Sequence, residues 1–240
     1  MVKRYIAFLA VLCSSAFPAS TNADLISFTD QGTYQSTLTT LGYSSFNEGF
    51  ENEAVWGSVR TTIAGGSHTA PSITSKGITW ESTVSIGEVT TSNGAARSGN
   101  WGFYSSPHVN LPTEGDGYRG TSSQTLFGVG GYIRTNTPPA GIAMWIDKGL
   151  VTEQQIDFGG ANVFSSGYNF FGVINTDGFT NFQIQETEFD IDEAKYLFSD
   201  DFRFAVVSVP EPNSVWLIGI FGVVAVVTNF RRRTKTGNRN

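Results

Sequence analysis

From residue 77 onward, apolar and polar residues alternate in short bursts separated by turn signals. "GITWEST" (77–83) alternates strictly. "TLFGVGGYIRT" (125–135) places Leu126, Gly128, Gly130 and Tyr132 on one face, with Phe127, Val129, Gly131 and Ile133 on the other. "GIAMWID" (141–147), "VTEQQIDF" (151–158), "YNFFGVIN" (168–175), "NFQIQE" (181–186) and "DDFRFAV" (200–206) continue the series. "TPPAG", "DKG", "SSG" and "NTDG" punctuate it. Period-two alternation between Gly- and Pro-rich separators predicts strands joined by turns. Only "DQGTYQSTLTTLG" breaks the rule: Tyr34, Leu38 and Leu41 fall on one helical face, Asp30 is a natural N-cap, and Gly42 ends the helix. Residues 90–120 are glycine-rich and low in apolar density, and are read as long loops carrying Trp101, Phe103 and Tyr104. The fold class predicted is mainly β, an antiparallel β-sandwich or jelly roll with a short N-terminal helix.

Both ends depart from this pattern. Lys3 and Arg4 precede the apolar run 5–17, and the small residues Thr21-Asn22-Ala23 follow it. This is the order of a secretory signal peptide over residues 1–23, cleaved after Ala23 by a signal peptidase. At the other end, residues 215–230 form an uncharged apolar stretch, followed by Arg231, Arg232, Arg233, Lys235 and Arg239. Sixteen helical residues reach about 24 Å, short of the ~30 Å hydrocarbon core but able to cross it with local thinning. The basic cluster predicts a transmembrane helix in the inner membrane with its end in the cytoplasm. The predicted organisation is a signal peptide (1–23), an ectodomain (24–206), and a linker, motif, membrane helix and basic tail (207–240).

Composition narrows the function classes. The single cysteine, Cys13, lies inside the signal, so an exported body uses neither thiol catalysis nor disulfides nor Cys-ligated zinc. Residues 24–209 hold 20 acidic against 8 basic residues, a net of −12. Nucleic acid as a partner is disfavoured by that charge; divalent cations are not. His68 and His108 form no H-x-x-x-H or H-E-x-x-H pattern, no G-x-S-x-G elbow occurs, and "GVGGY" opens no helix, so no enzyme motif is present.

Pro210-Glu211-Pro212, the apolar run Val215–Phe230 and the arginine cluster together resemble the PEP-CTERM sorting signal of Gram-negative bacteria. That resemblance implies recognition by an exosortase in the inner membrane. Pro210, Glu211, Pro212, Arg231, Arg232 and Arg233 would then be recognition residues, and the processed protein would go to the cell surface or the extracellular polysaccharide matrix. "FNEGFE", "LFGVGGYI", "YNFFGVI" and "DDFRF" further resemble the β-rich ectodomains of such proteins.

The body is also similar to carbohydrate-binding jelly rolls, in which acids from the first and last strands hold a structural calcium. By that likeness Glu48 and Glu51 would join Asp200 and Asp201 around Ca²⁺, the one cofactor considered. The competing reading is structural: if Phe202 and Phe204 are core, Asp201 faces away from it, and Arg203 is available to pair with an acid. Asp190, Asp192 and Glu193 in "EFDIDEA" lack the EF-hand spacing and read as a solvated hairpin loop. Trp101, Tyr104 and Tyr118 are candidates to stack on sugar rings. The expected function is that of a non-catalytic, exported surface or matrix protein with a structural or adhesive role. The alternatives are a calcium-dependent carbohydrate-binding module and a secreted polysaccharide-degrading enzyme, in which Glu51 would act.

Overall fold

The structure is a computed structural model that describes residues 25–61, 68–107, 115–135, 141–158, 167–187 and 196–208. The predicted signal, the 207–240 segment beyond Ser208, His108 and the 188–194 loop lie outside these residues. Among the described residues no helix is long and apolar enough to cross a membrane.

The fold is mainly β, as the alternation predicts. After β1 (Leu25–Phe28), helix α1 (Gln31–Thr40) leads into β2 (Tyr43–Glu48) and a single turn of helix, α2 (Glu53–Trp56). Short strands β3 (Arg60–Thr61), β4 (Ser72–Ser75), β5 (Ile78–Ser82), β6 (Val89–Ser92) and β7 (Gly102–Ser105) precede the long β8 (Gly117–Thr135). Strands β9 (Ile142–Ile146), β10 (Gln154–Asp157), the long β11 (Asn169–Glu186) and β12 (Leu197–Val207) complete it.

Two long strands organise the molecule. The first half of β8 pairs with β5 and with the second half of β11, which also pairs with β9. The second half of β8 pairs with the first half of β11 and with β12. Each therefore passes from one layer into the other. One layer runs β4-β5-β8-β11-β9-β10; the second runs β1-β11-β8-β12, then β2 along one half of β12 and β7-β6-β3 along the other. All ladders are antiparallel except β3–β6.

The crossing in β11 occurs at Asn175–Gly178, where the register shifts and Gly178 takes φ +79°. The sequence places a turn at "NTDG" between two strands. The structure instead keeps one strand and absorbs the turn residues as an irregularity, since a kinked strand retains both ladders. In β8 the alternation slips at the corresponding point. Leu126 enters the main core and Phe127 packs on the opposite face, reversing their predicted sides relative to Gly128–Ile133.

The core between the layers is aromatic. Trp80 of β5 lies 5.0 Å from Phe202 and 6.0 Å from Phe204 of β12, centroid to centroid, and Phe182 of β11 lies 5.7 Å from Phe204. Phe50, Trp56, Phe103 and Tyr118 fill the same space. Rings that meet edge-to-face add about 0.5–1.5 kcal/mol per pair beyond the area they bury.

Helix α1 lies on the outer face of the second layer. Asp30 caps it, its Oδ1 accepting from Thr33 N at 2.7 Å. Tyr34 and Leu38 are buried against Phe28, Phe170, Ile174 and Ala205. Leu41, expected on the same face, is the C-cap and is 42% exposed. The glycines of "GVGGY" make this contact possible: a β-carbon at Gly128 would sit 2.8 Å from the Tyr34 hydroxyl oxygen, and one at Gly130 would sit 2.7 Å from the Phe170 ring. The expectation of long loops over 90–120 is corrected by β6, β7 and the start of β8. Each of the first two is only four residues long, too short to show a period.

Candidate functional site

Three features meet on the outer face of the second layer, beyond the end of α1. The first is the acidic junction. Strand β2 pairs with β12, Glu48 opposite Phe202, so the strands that carry the early and late acids lie side by side. Their oxygens, however, accept from the protein itself. Glu48 is buried; its Oε1 accepts from Phe50 N at 2.7 Å and its Oε2 from the Ser75 hydroxyl. Glu51 Oε1 accepts from Asn100 N (2.7 Å) and Trp101 N (2.8 Å). Asp200 Oδ2 accepts from Arg97 N (2.8 Å) and Ser98 N (3.0 Å), and its Oδ1 from Asp201 N (2.7 Å). Asp201 pairs with Arg97 Nη1 at 2.7 Å and accepts from Ser98 Oγ at 2.7 Å.

Three of the four acids thus clamp the single segment 97–101. That segment carries few apolar residues and would otherwise have little to hold it. Gly99, at φ +64°, runs against Glu51, where a β-carbon would come within 2.4 Å of its Oε1. Among the described residues no group of three or more His, Cys, Asp or Glu side chains is gathered as metal ligands would be. The carboxylates face N–H donors and a guanidinium, a donor set that does not fit a calcium cage. Arg203 takes a different partner from the one expected. With its amide turned to accept, Gln35 Oε1 receives Arg203 Nε and Nη2 at 3.1 and 3.2 Å.

The junction is built on irregular backbone. The β12 register shifts between Asp200 and Arg203, Asp201 adopts φ +52°, and Phe50 adopts φ +58°. Such conformations cost roughly 1–3 kcal/mol each and persist where surrounding contacts dictate them. The shift also separates two adjacent acids: Asp200 is fully buried, whereas Asp201 stays partly exposed. Burial pushes the Asp200 carboxyl up to about 6, against the pull of its N–H donors.

The second feature is a row of rings. Tyr104 of β7 stands opposite Phe198 of β12, which stands opposite Arg134 of β8. Tyr168 continues the row at the start of β11. Its length is three strand spacings, roughly 14 Å. Tyr196 stacks on Phe198 with ring planes 13° apart and meets Tyr104 edge-on at 5.9 Å. The Arg134 guanidinium lies 4.2 Å from the Phe198 centroid and 5.2 Å from that of Tyr168. The Asn93–Ala95 turn braces one end: Arg134 donates to Gly94 O at 2.7 Å, and the Tyr168 hydroxyl donates to Ala95 O. Tyr104, Tyr168, Tyr196, Phe198 and Arg134 are all half-buried.

The third feature is a pocket of about 290 Å³ beside the junction, lined by Gln31, Asn47, Arg97, Ser98, Asp201 and Arg203, with Glu48 and Gly49 among its walls. Arg97 links pocket and row: its guanidinium sits 3.3 Å from the Tyr132 centroid, and Tyr132 donates to Gln31 Oε1 at 3.2 Å.

Of the aromatics singled out from sequence, only Tyr104 belongs to this face as an exposed ring. Tyr118 is fully buried in the core, its hydroxyl against Ser199. Trp101 is half-buried beneath the Arg60 guanidinium, 4.1 Å from its ring. Phe198, Tyr196, Tyr168 and Arg134 were not singled out. Phe198 and Arg134 become neighbours only through the β12–β8 ladder, which the sequence does not display.

No protein-family model and no curated protein matches the chain. Among solved structures, it is similar to the CBM22-1 xylan-binding domain of Xyn10C from Paenibacillus barcinonensis, at 14% identity over 69% of this chain and 95% of that one, with a TM-score of 0.40. A xylan-binding CBM22 domain, formerly termed x6b, is similar at 10% identity over 70% of this chain and 97% of that one, TM-score 0.39. TmCBM61, in complex with β-1,4-galactotriose, is similar at 9% identity over 67% of this chain and 99% of that one, TM-score 0.33.

Proposed function

We propose that this chain is a non-catalytic, exported surface or matrix protein that adheres to polysaccharide through the Tyr104–Phe198–Arg134–Tyr168 row. The observation that carries the reading is the row itself: half-buried aromatic residues and an arginine set side by side across β7, β12, β8 and the residue that precedes β11. A pyranose ring presents an apolar C–H face and a polar rim. A cluster of partly exposed rings with a guanidinium alongside matches both, and Tyr104, Phe198 and Arg134 are held in place by their strands. Export and sorting rest on the signal-like 1–23 segment and on Pro210-Glu211-Pro212 with its apolar and basic sequel.

Two measurements test this. Affinity electrophoresis through gels containing polysaccharide from the host's own matrix should retard the 24–208 protein. The Tyr196→Ala/Phe198→Ala double variant should run as in plain gel, and equal retardation of the two proteins rejects the site. For sorting, the intact mass of the protein from the host's surface fraction should correspond to a chain starting at Asp24 and ending near Pro212. A chain still carrying residues 215–240 rejects exosortase processing.

A further inference from the structure

We infer that the pocket beside the acidic junction holds a single neutral sugar, the side-branch or terminal unit of the polymer that lies along the aromatic row. The inference rests on the polysaccharide-binding reading above and assigns to it a second subsite with a different task.

Size is the first argument. At about 290 Å³ the pocket is at the small end of ligand sites, suited to one ring and not to a chain passing through. Chemistry is the second. Gln31, Asn47, Arg97, Ser98, Asp201 and Arg203 intermix donors and acceptors, as recognition of neighbouring hydroxyls requires. Charge is the third. Arg97 and Arg203 are balanced in the lining by Asp201 and Glu48, so neither an anionic sugar nor a free cation gains from the field there. Rigidity is the fourth. Asp201 is fixed by Arg97 and Ser98, Glu48 by Phe50 N and Ser75, and Arg203 by Gln35, so the polar atoms are positioned before a ligand arrives. Two of the four positive-φ non-glycine residues among those described belong to this spot: Asp201 lines the pocket, and Phe50 follows Gly49 in its wall.

Position joins the pocket to the row. On β8 the outward residue two before Arg134 is Tyr132, and on β12 the outward residue two after Phe198 is Asp200; the two stand opposite each other. That next rank lies roughly 7 Å along the strands. Arg97, lying on Tyr132 and bonded to Asp201, borders both regions. A main chain stacked across the row would thus lie one rank from Arg97, which borders the pocket, within reach of a substituent.

The test is isothermal titration of the 24–208 protein with four neutral polymers, linear mannan, galactomannan, linear xylan and arabinoxylan, and with glucuronic acid-branched xylan. At least one branched polymer should bind about tenfold more tightly than its linear counterpart, the loss expected from one or two missing hydrogen bonds. Asn47→Ala and Arg203→Lys should each erase that difference and leave linear binding unchanged. Equal affinity for branched and linear polymers, with both lost in Tyr196→Ala/Phe198→Ala, overturns the pocket and keeps the row. Loss of binding in the pocket variants alone, with the ring variant binding normally, overturns the row. A preference for glucuronic acid-branched xylan over arabinoxylan overturns the neutral-sugar assignment.

Discussion

The two layers carry matching rows on their outer faces, and the rows have opposite characters. Across the first layer, Glu81, Arg119, Gln183, Trp145 and Gln155 stand opposite one another on β5, β8, β11, β9 and β10. There Arg119 is bound to Glu81 at 2.8 Å, and Lys148 lies 4.2 Å from the Trp145 centroid while donating to Gln185 Oε1 at 2.7 Å. Trp145 is left only 7% exposed. Across the second layer, Tyr104, Phe198 and Tyr168 are only half-buried, and the Arg134 guanidinium lies over two of their rings, 4.2 Å from the Phe198 centroid and 5.2 Å from that of Tyr168. Both rows carry a cation over an aromatic ring; they differ in burial, the Trp145 indole being nearly covered and the rings of the second row half-buried. On the proposed function, that partly exposed aromatic area, and not the presence of a tryptophan, would mark the binding face.

The sharpest way to break this comparison is to truncate one ring on each side. Trp145→Ala removes a buried indole and should lower unfolding free energy by about 3–5 kcal/mol in urea denaturation while leaving polysaccharide retention intact. Phe198→Ala should cost about 1 kcal/mol or less of stability and abolish most retention. A reversal of these two outcomes moves the binding face to the first layer.

The next effect concerns the clamp beside the open row. The folded carboxyl of Asp200 titrates at about 6, above its ordinary 3.8, because it is buried. A group raised in this way adds stability that is complete below its unfolded value and is lost as pH rises through the folded value. The stability difference between wild type and Asp200→Asn should therefore fall by on the order of 3 kcal/mol as pH is raised from about 3.8 through about 6. A difference that is flat with pH would show that the N–H donors of Arg97, Ser98 and Asp201 offset burial and leave the carboxyl unshifted. Smaller still, Arg119→Gln breaks a solvent-exposed pair and should change stability by less than about 1 kcal/mol, with retention unaltered. Smallest is calcium: with the acids facing N–H donors, adding calcium or EDTA should not shift the melting temperature. An upward shift that disappears in Asp201→Asn would instead establish the cation among Glu48, Glu51, Asp200 and Asp201.

Much of the frame was legible because it is local. Asp30 capping α1 and the alternation that buries Phe202 and Phe204 follow from spacing along a few residues. The acidic junction was half legible. That the strands carrying the early and late acids lie side by side was anticipated, but the partners of those acids were not, since N–H groups of segment 97–101 have no signature in side-chain sequence. Irregularities defeated the rest. The β12 register shift puts Asp200 and Asp201 in different environments, and the kink at Asn175–Gly178 joins two apparent strands into one. The aromatic row was illegible for a deeper reason: its members come from strands far apart in sequence, and only the ladders align them.

Strand β12 has a mechanical consequence. It carries Phe198 near one end, and at Val207 the chain leaves it toward residue 240. If a polymer stacks on Phe198 and the C-terminal end is anchored, as proposed, a tug between them would be transmitted along one backbone. Between those points β12 is laced to β8 and then to both β8 and β2. Force applied along its axis loads those hydrogen bonds in parallel instead of peeling them one at a time, and most of the sandwich stays out of the line of tension.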